Sequence, residues 1–191
     1  ETLQKAKSDF TLQIVNQKNQ GLANARNNGA AVATGEFLAF LDPDDTIENG
    51  YYEKAVAIFK KYRNVHFVGS WARYFEGGNG CWPTFNPEPP YILFHNMINS
   101  SALIYRRKSF TQAGMYDKKM IYGMEDYEHV ITMLASGLNG IALPEAFWNY
   151  RVRKQSMARQ FNDHKEEYLY KLIAQKHSSF YNRYGSDFEG F

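Results

Sequence analysis

Polar and apolar residues alternate over Phe10-Thr-Leu-Gln-Ile-Val-Asn16, which predicts a strand. Between about Leu22 and Ala33 the spacing turns helical. Leu22, Ala25, Gly29 and Val32 fall three or four apart on a small-residue face that another backbone could approach closely. Thr34-Gly35 ends this helix, and Glu36-Phe-Leu-Ala-Phe-Leu41 is a short apolar run that predicts a buried strand of a parallel sheet. Strand, helix, strand at this spacing is a βαβ unit and implies an α/β fold. A second helix is predicted from about Ile47 to Tyr62, with Tyr52, Ala55, Val56 and Phe59 on one side.

Further along, Val65 to Phe75 predicts two short strands. Gly77 to Pro90, with three glycines and four prolines, predicts a long loop. Ser101 to Tyr105 predicts a strand and Arg107 to Ala113 a short helix. Met124 to Ala135 predicts the best amphipathic helix, with Tyr127, Val130, Ile131, Leu134 and Ala135 in a stripe and Gly137 past its end. Two short strands near Ile141 and Phe147 follow, then a terminal helix from Asn162 to about Tyr181 opened by an Asp163-to-Glu166 capping box.

Composition narrows the function classes. The 191 residues are 44% hydrophobic and carry a net charge of +2, enough apolar material for a core and too balanced a surface for nucleic acid as the partner. Cys81, a single cysteine, excludes a disulfide framework and a cysteine-based metal cluster. No apolar run reaches the ~18–20 residues of a spanning helix. Aromatic residues at 16%, including 14 Tyr and 14 Phe, suit ring stacking on sugars or bases as well as dense packing.

The residues fit for chemistry fall in three places. Asp42-Pro-Asp44-Asp45 closes the second apolar run, where α/β sheets bind ligands. Crowded carboxylates repel one another, and Mg²⁺ or Mn²⁺ would neutralise them. A turn with Asp45 or Thr46 capping the next helix explains the same residues. A calcium loop does not fit, because Ile47 stands where a glycine is needed. Gly123-Met-Glu125-Asp126-Tyr-Glu128 opens the amphipathic helix, where acidic residues suit either the helix dipole or a general base. Tyr150 to Arg159 holds four basic residues and no acidic one, as a phosphate clamp or a solvated loop would. The five histidines, at 66, 95, 129, 164 and 177, show no metal-ligand spacing.

The order of four segments is more specific than any one of them. Gln20-Gly-Leu-Ala-Asn-Ala-Arg-Asn-Asn-Gly29, Thr34-Gly-Glu-Phe-Leu-Ala-Phe-Leu-Asp-Pro-Asp-Asp45, Gly114-Met-Tyr-Asp117 and Gly123-Met-Glu-Asp-Tyr-Glu128 together resemble the family 2 glycosyltransferases of the GT-A fold. The resemblance implies an α/β domain with a mostly parallel central sheet flanked by helices. It implies a partial catalytic domain at residues 1–160 and a C-terminal helical extension at 161–191. The family's first strands, which hold the nucleobase, have no counterpart before Phe10, so the expected chain lacks its front and is not a complete enzyme by itself.

The resemblance further implies inverting transfer from a nucleotide-sugar donor, of the UDP or dTDP type, to a glycan or lipid-linked acceptor. This is an activity of cell-surface polysaccharide or glycan synthesis, in the cytoplasm or at the inner face of the membrane. By motif match, Asp42-x-Asp44 is the DxD pair, with Asp44 the Mn²⁺ or Mg²⁺ ligand and Asp42 facing the ribose or the metal through water. Arg26 borders the nucleotide. Asp126 is the general base, and Glu125 meets the acceptor. Arg153 stands where members often have a metal-ligating His, which points to direct contact with the diphosphate. Trp82 and Phe85 could stack an acceptor sugar.

Two rivals use the same residues. Phe37 to Thr46 also fits the strand motif of haloacid-dehalogenase-like phosphatases, with Asp42 as nucleophile and Asp44 as acid/base, helped by Lys118 and Glu125-Asp126. A non-catalytic glycan-binding module derived from a transferase is the other.

Overall fold

The computed structural model describes residues 11–98, 100–153 and 162–185. The strands among the described residues are β1 (Phe37–Ala39), β2 (Thr46–Ile47), β3 (Val65–Glu76), β4 (Cys81–Trp82), β5 (Ile104–Arg106) and β6 (Asn139–Val152). They form one sheet in the order β1-β5-β3-β6-β2, with β4 added to β3. The helices are α1 (Leu22–Val32), α2 (Tyr51–Lys61), α3 (Arg107–Ala113), α4 (Glu125–Ala135), α5 (Asp163–Lys176) and α6 (Ser178–Gly185).

Adjacent residues of the central strands serve opposite faces, and this makes three layers. Phe67 and Tyr105 enter a core with Phe110 of α3, Val130 and Ile131 of α4, Leu169 and Ile173 of α5 and Phe180 of α6. Val68 and Ile104 point the other way, onto Tyr51, Ala55 and Phe59 of α2.

The α/β architecture is the expected one, but the sheet is mixed rather than mostly parallel. β3–β6 is parallel, and the other described pairings are antiparallel. The cause is β5. It lies between β1 and β3 and runs against both, so among the described residues β1 is an edge strand, with Leu38 alone of its residues buried. The pairs of short strands expected at 65–75 and near 141 and 147 are instead two long ones. Their ladder jumps from Ser70↔Leu143 to Trp71↔Ala146, so a bulge takes Pro144, which has no N–H to give, out of register.

Other differences have local causes. Residues 11–16 form no strand, and Leu12, Ile14 and Val15 are exposed, because no described strand runs beside them to pair their backbone. Phe10 lies outside the described residues. α2 starts at Tyr51, not Ile47, because Ile47 pairs with Trp148 in the sheet and Gly50 turns the chain at φ 87°. Its inward residues are Tyr51, Ala55 and Phe59, while Tyr52 is exposed.

The terminal helix is two helices. Asn162 caps α5 by accepting from the Lys165 N–H at 3.0 Å, one residue before the expected cap. α5 gives way to α6 at His177, whose ring is drawn inward to Glu128, Nε2 to Oε1 2.6 Å.

Candidate active site

The site begins with the orientation of α1. The spacing predicted Leu22, Ala25, Gly29 and Val32 as its buried face, yet Ala25, Gly29 and Val32 are exposed and the helix buries Ala23, Arg26 and Asn27. Two polar side chains go inward because their partners are already there. The Asn27 amide donates to the Tyr116 carbonyl at 2.8 Å, and its Oδ1 accepts from the Tyr116 N–H at 3.0 Å. This two-way link pins α1 to the turn after α3, where Gly114 adopts φ 112°.

Arg26, thus held, reaches both acidic segments. Its Nη1 donates to Glu125 Oε1 at 2.6 Å and its Nη2 to Asp42 Oδ1 at 2.8 Å. Its side chain is 8% exposed, and the guanidinium carbon lies 5.8 Å from the Tyr116 ring centre. Burial works against its charge, but Asp126 and then Asp42 outweigh that and hold it protonated.

Glu125 and Asp126 open α4 after Gly123 at φ 120° and Met124 at φ 63°. The left-handed pair turns the chain so that the first helical residues face α1. Glu125 is 2% exposed, and burial first, then the Asp126 charge, push its carboxyl above the usual carboxylate range. Asp126 is half-buried, and its Oδ1 accepts from the Tyr127 N–H at 2.7 Å.

The loop after β1 divides its carboxylates. Asp42 serves Arg26. Asp44 has a third of its side chain exposed, with Arg153 Nε 3.5 Å from its Oδ2, and its backbone carbonyl accepts from Arg151 Nε at 2.7 Å. Asp45 turns inward, where its Oδ2 accepts from Trp148 Nε1 at 3.0 Å and its Oδ1 from the Arg151 N–H at 2.9 Å. Burial pushes its carboxyl up to about 6. Asp45 therefore anchors the loop to β6. It does not cap α2, which has no side-chain cap.

Trp82 and Phe85 line a cavity of about 380 Å³ together with Pro83, Tyr91, Phe94 and Met97. One row across the sheet leads from this wall to the acidic loop: Trp82 opposite Ala72, Ala72 opposite Trp148, and Trp148 on Asp45. Trp82 and Trp148 are two strand spacings apart, about 10 Å. On the other side the Tyr127 hydroxyl donates to the Ile92 carbonyl at 2.6 Å, tying the cavity wall to the residue beside Asp126.

The structure thus brings together Arg26, Asp42, Glu125 and Asp126, sets Asp44 beside Arg153, and gives Trp82 and Phe85 a common cavity. Sequence reasoning missed the roles of Asn27, Trp148 and Arg151 and the inward turn of Asp45. It also missed a buried group behind α4, in which Glu128 Oε1 meets His177 and the Lys176 ammonium, 2.8 Å away, and Lys176 reaches Asp117 Oδ2 at 2.8 Å. Lys154 to Arg159 of the basic run lie outside the described residues. Among the described residues no three His, Cys, Asp or Glu side chains form a metal-holding group.

With this geometry known, comparison with other proteins decides the family. The sequence profile of glycosyl transferase family 2 matches residues 1–131. The chain belongs to that family. Membership separates it from the haloacid-dehalogenase-like phosphatases, whose strand motif Asp42 and Asp44 also satisfy.

Among relatives of this chain, the Escherichia coli UDP-Gal:alpha-D-GlcNAc-diphosphoundecaprenol beta-1,3-galactosyltransferase is 27% identical over 158 residues, covering 80% of the chain and 55% of the relative. The Bacillus subtilis putative glycosyltransferase EpsE is 31% identical over 160 residues, covering 79% and 55%. The chain therefore spans about half the length of these relatives.

Solved structures give the fold. S. aureus TarS 1–349 in complex with UDP-GlcNAc superposes with a TM-score of 0.65 at 19% identity, over 84% of the chain and 48% of that TarS 1–349 chain. GalNAc-T7 with UDP, GalNAc and Mn²⁺ gives 0.59 at 17% identity, over 81% and 37%. The fold is that of the GT-A glycosyltransferases. No described helix is long and apolar enough to cross a membrane.

Proposed function

We propose that the chain carries the catalytic carboxylates of a metal-dependent, inverting glycosyltransferase. It would move a sugar from a nucleoside-diphosphate donor to a hydroxyl of a glycan or lipid-linked acceptor during polysaccharide or glycan synthesis. The observation that carries this reading is the Arg26 bridge, which unites the strand-end loop and the start of α4 in one site. TarS with UDP-GlcNAc and the E. coli enzyme named for a UDP-sugar and a lipid-linked acceptor support a uridine nucleotide.

Asp42 and Asp44 fit Mn²⁺ or Mg²⁺. Such ions are commonly held by one or two carboxylates and complete their shell with water and substrate phosphates. When bound, the ion would neutralise charge on the departing diphosphate. Arg153, beside Asp44 and open to solvent, supplies a second positive charge for it.

Asp126 is the base of this reading. It takes the proton of the acceptor hydroxyl as that oxygen bonds to the anomeric carbon. The bond from that carbon to the diphosphate oxygen breaks on the opposite face, and the electron pair leaves with the nucleotide. A single displacement inverts the centre. The aromatic cavity at Trp82 and Phe85 is proposed to seat the acceptor.

Calorimetry on the intact protein with UDP and dTDP, with and without Mn²⁺, tests the donor. Asp126→Asn should abolish transfer and leave donor binding intact; equal loss of both would make Asp126 structural. Asp44→Ala should remove the metal dependence of donor binding. Absence of any nucleotide binding by the intact protein would sink the transferase reading in favour of a glycan-binding module.

A further inference from the structure

We infer that Arg26 is a positioning residue, an internal counter-ion that locks the Asp42 loop to the start of α4 and does not grip the donor's diphosphate. The inference rests on the transferase reading and reassigns one residue within it.

A guanidinium that grips a phosphate must offer a free edge of paired N–H groups. In Arg26 each terminal nitrogen already gives one N–H to a carboxylate, at 2.6 Å and 2.8 Å, and with 8% of the side chain exposed the remaining N–H groups have little access to solvent. One face is covered by Tyr116. The backbone beneath cannot swing the group outward, because the neighbouring Asn27 is bound in both directions to the Tyr116 backbone. The cation built for a mobile anion is Arg153, with 55% of its side chain exposed and Asp44 3.5 Å away.

The need for a fixed cation follows from charge. Asp42, Glu125 and Asp126 converge, and Glu125 is buried at 2% exposure. Carboxylates brought this close repel one another unless a cation stands between them. Arg26 supplies it and fixes the spacing as well, since a rigid fork with two occupied prongs holds its partners in one plane. A lysine could meet one carboxylate but not span both.

The test uses Arg26→Lys and Arg26→Gln in the intact protein, with transfer kinetics, UDP calorimetry in Mn²⁺, and thermal melting. Both variants should lower kcat about 100-fold through misplaced Glu125 and Asp126 at the start of α4, while Asp44 keeps its place beside Arg153. The Kd for UDP should stay within about threefold, while Arg153→Gln should raise it about tenfold. A tenfold or greater weakening of UDP binding in the Arg26 variants, with kcat retained, would overturn the inference.

The double variant Arg26→Gln with Glu125→Gln removes the orphaned buried charge and should recover most of the melting temperature lost by Arg26→Gln alone. No recovery would also overturn it. Wild-type protein that binds no UDP would instead defeat the transferase reading, and the melting comparison would then decide the bridge by itself.

Discussion

His129 sits on α4 inside a cage of rings, with Phe110, Tyr116 and Tyr105 centred 4.5, 5.2 and 5.6 Å away. Burial pushes its imidazole down to about 4, against an ordinary 6.5. The unfolded chain therefore takes a proton between pH 6.5 and 4 that the folded chain refuses. The associated stability is complete above pH 6.5 and is lost as pH falls toward 4, by about 3 kcal/mol. Denaturant titrations of wild type and His129→Leu across that window should show wild type losing ground to the variant as pH drops; a constant gap would refute the assignment. At this scale the sequence was informative where chemistry is written in consecutive residues. Asp42, Asp44, Glu125 and Asp126 could be picked out because each motif is local. Nothing local marks Trp148 as the partner of Asp45, 103 residues away. The burial of Arg26 was hidden because a helical wheel scores arginine as an outward residue.

At the level of elements, helices were easier to read than strands. A helix satisfies its own backbone, so periodicity and end signals suffice, and α3 and α4 lie where the spacing placed them. A strand's identity belongs to its neighbours. β3 and β6 each looked like two strands, and only their mutual ladder joins them across the bulge at Pro144. The alternation at residues 11–16 promised a strand that has no described partner. α5 shows how packing and polar contacts cooperate. Leu169 and Ile173 are fully buried in the core shared with α4, and Lys176 and His177 reach Glu128 from the helix end. Ile173→Ala should cost about 2–5 kcal/mol, measured by urea unfolding; a loss under about 1 kcal/mol would mean that α5 is only loosely docked.

Across the whole molecule, one sheet is covered on both faces, and the larger core draws on α1, α3, α4, α5 and α6 together. We expect the helices after residue 161 and the sheet to unfold in one cooperative transition, with calorimetric and van't Hoff enthalpies equal. Two resolved transitions would divide the chain near that point. The near-neutral charge fits a protein that places a few cations rather than coating a surface: Arg26 inside, Arg153 outside. Asp45 carries a consequence for anyone exchanging the acidic loop. The acidic loop is wired at one carboxylate to an indole and a backbone amide of β6. A loop transplanted from a relative into this scaffold will keep its shape only if positions 45, 148 and 151 travel as a set. The exchangeable module is thus not the loop but the loop and a piece of distant strand, two stretches of sequence that must be swapped together.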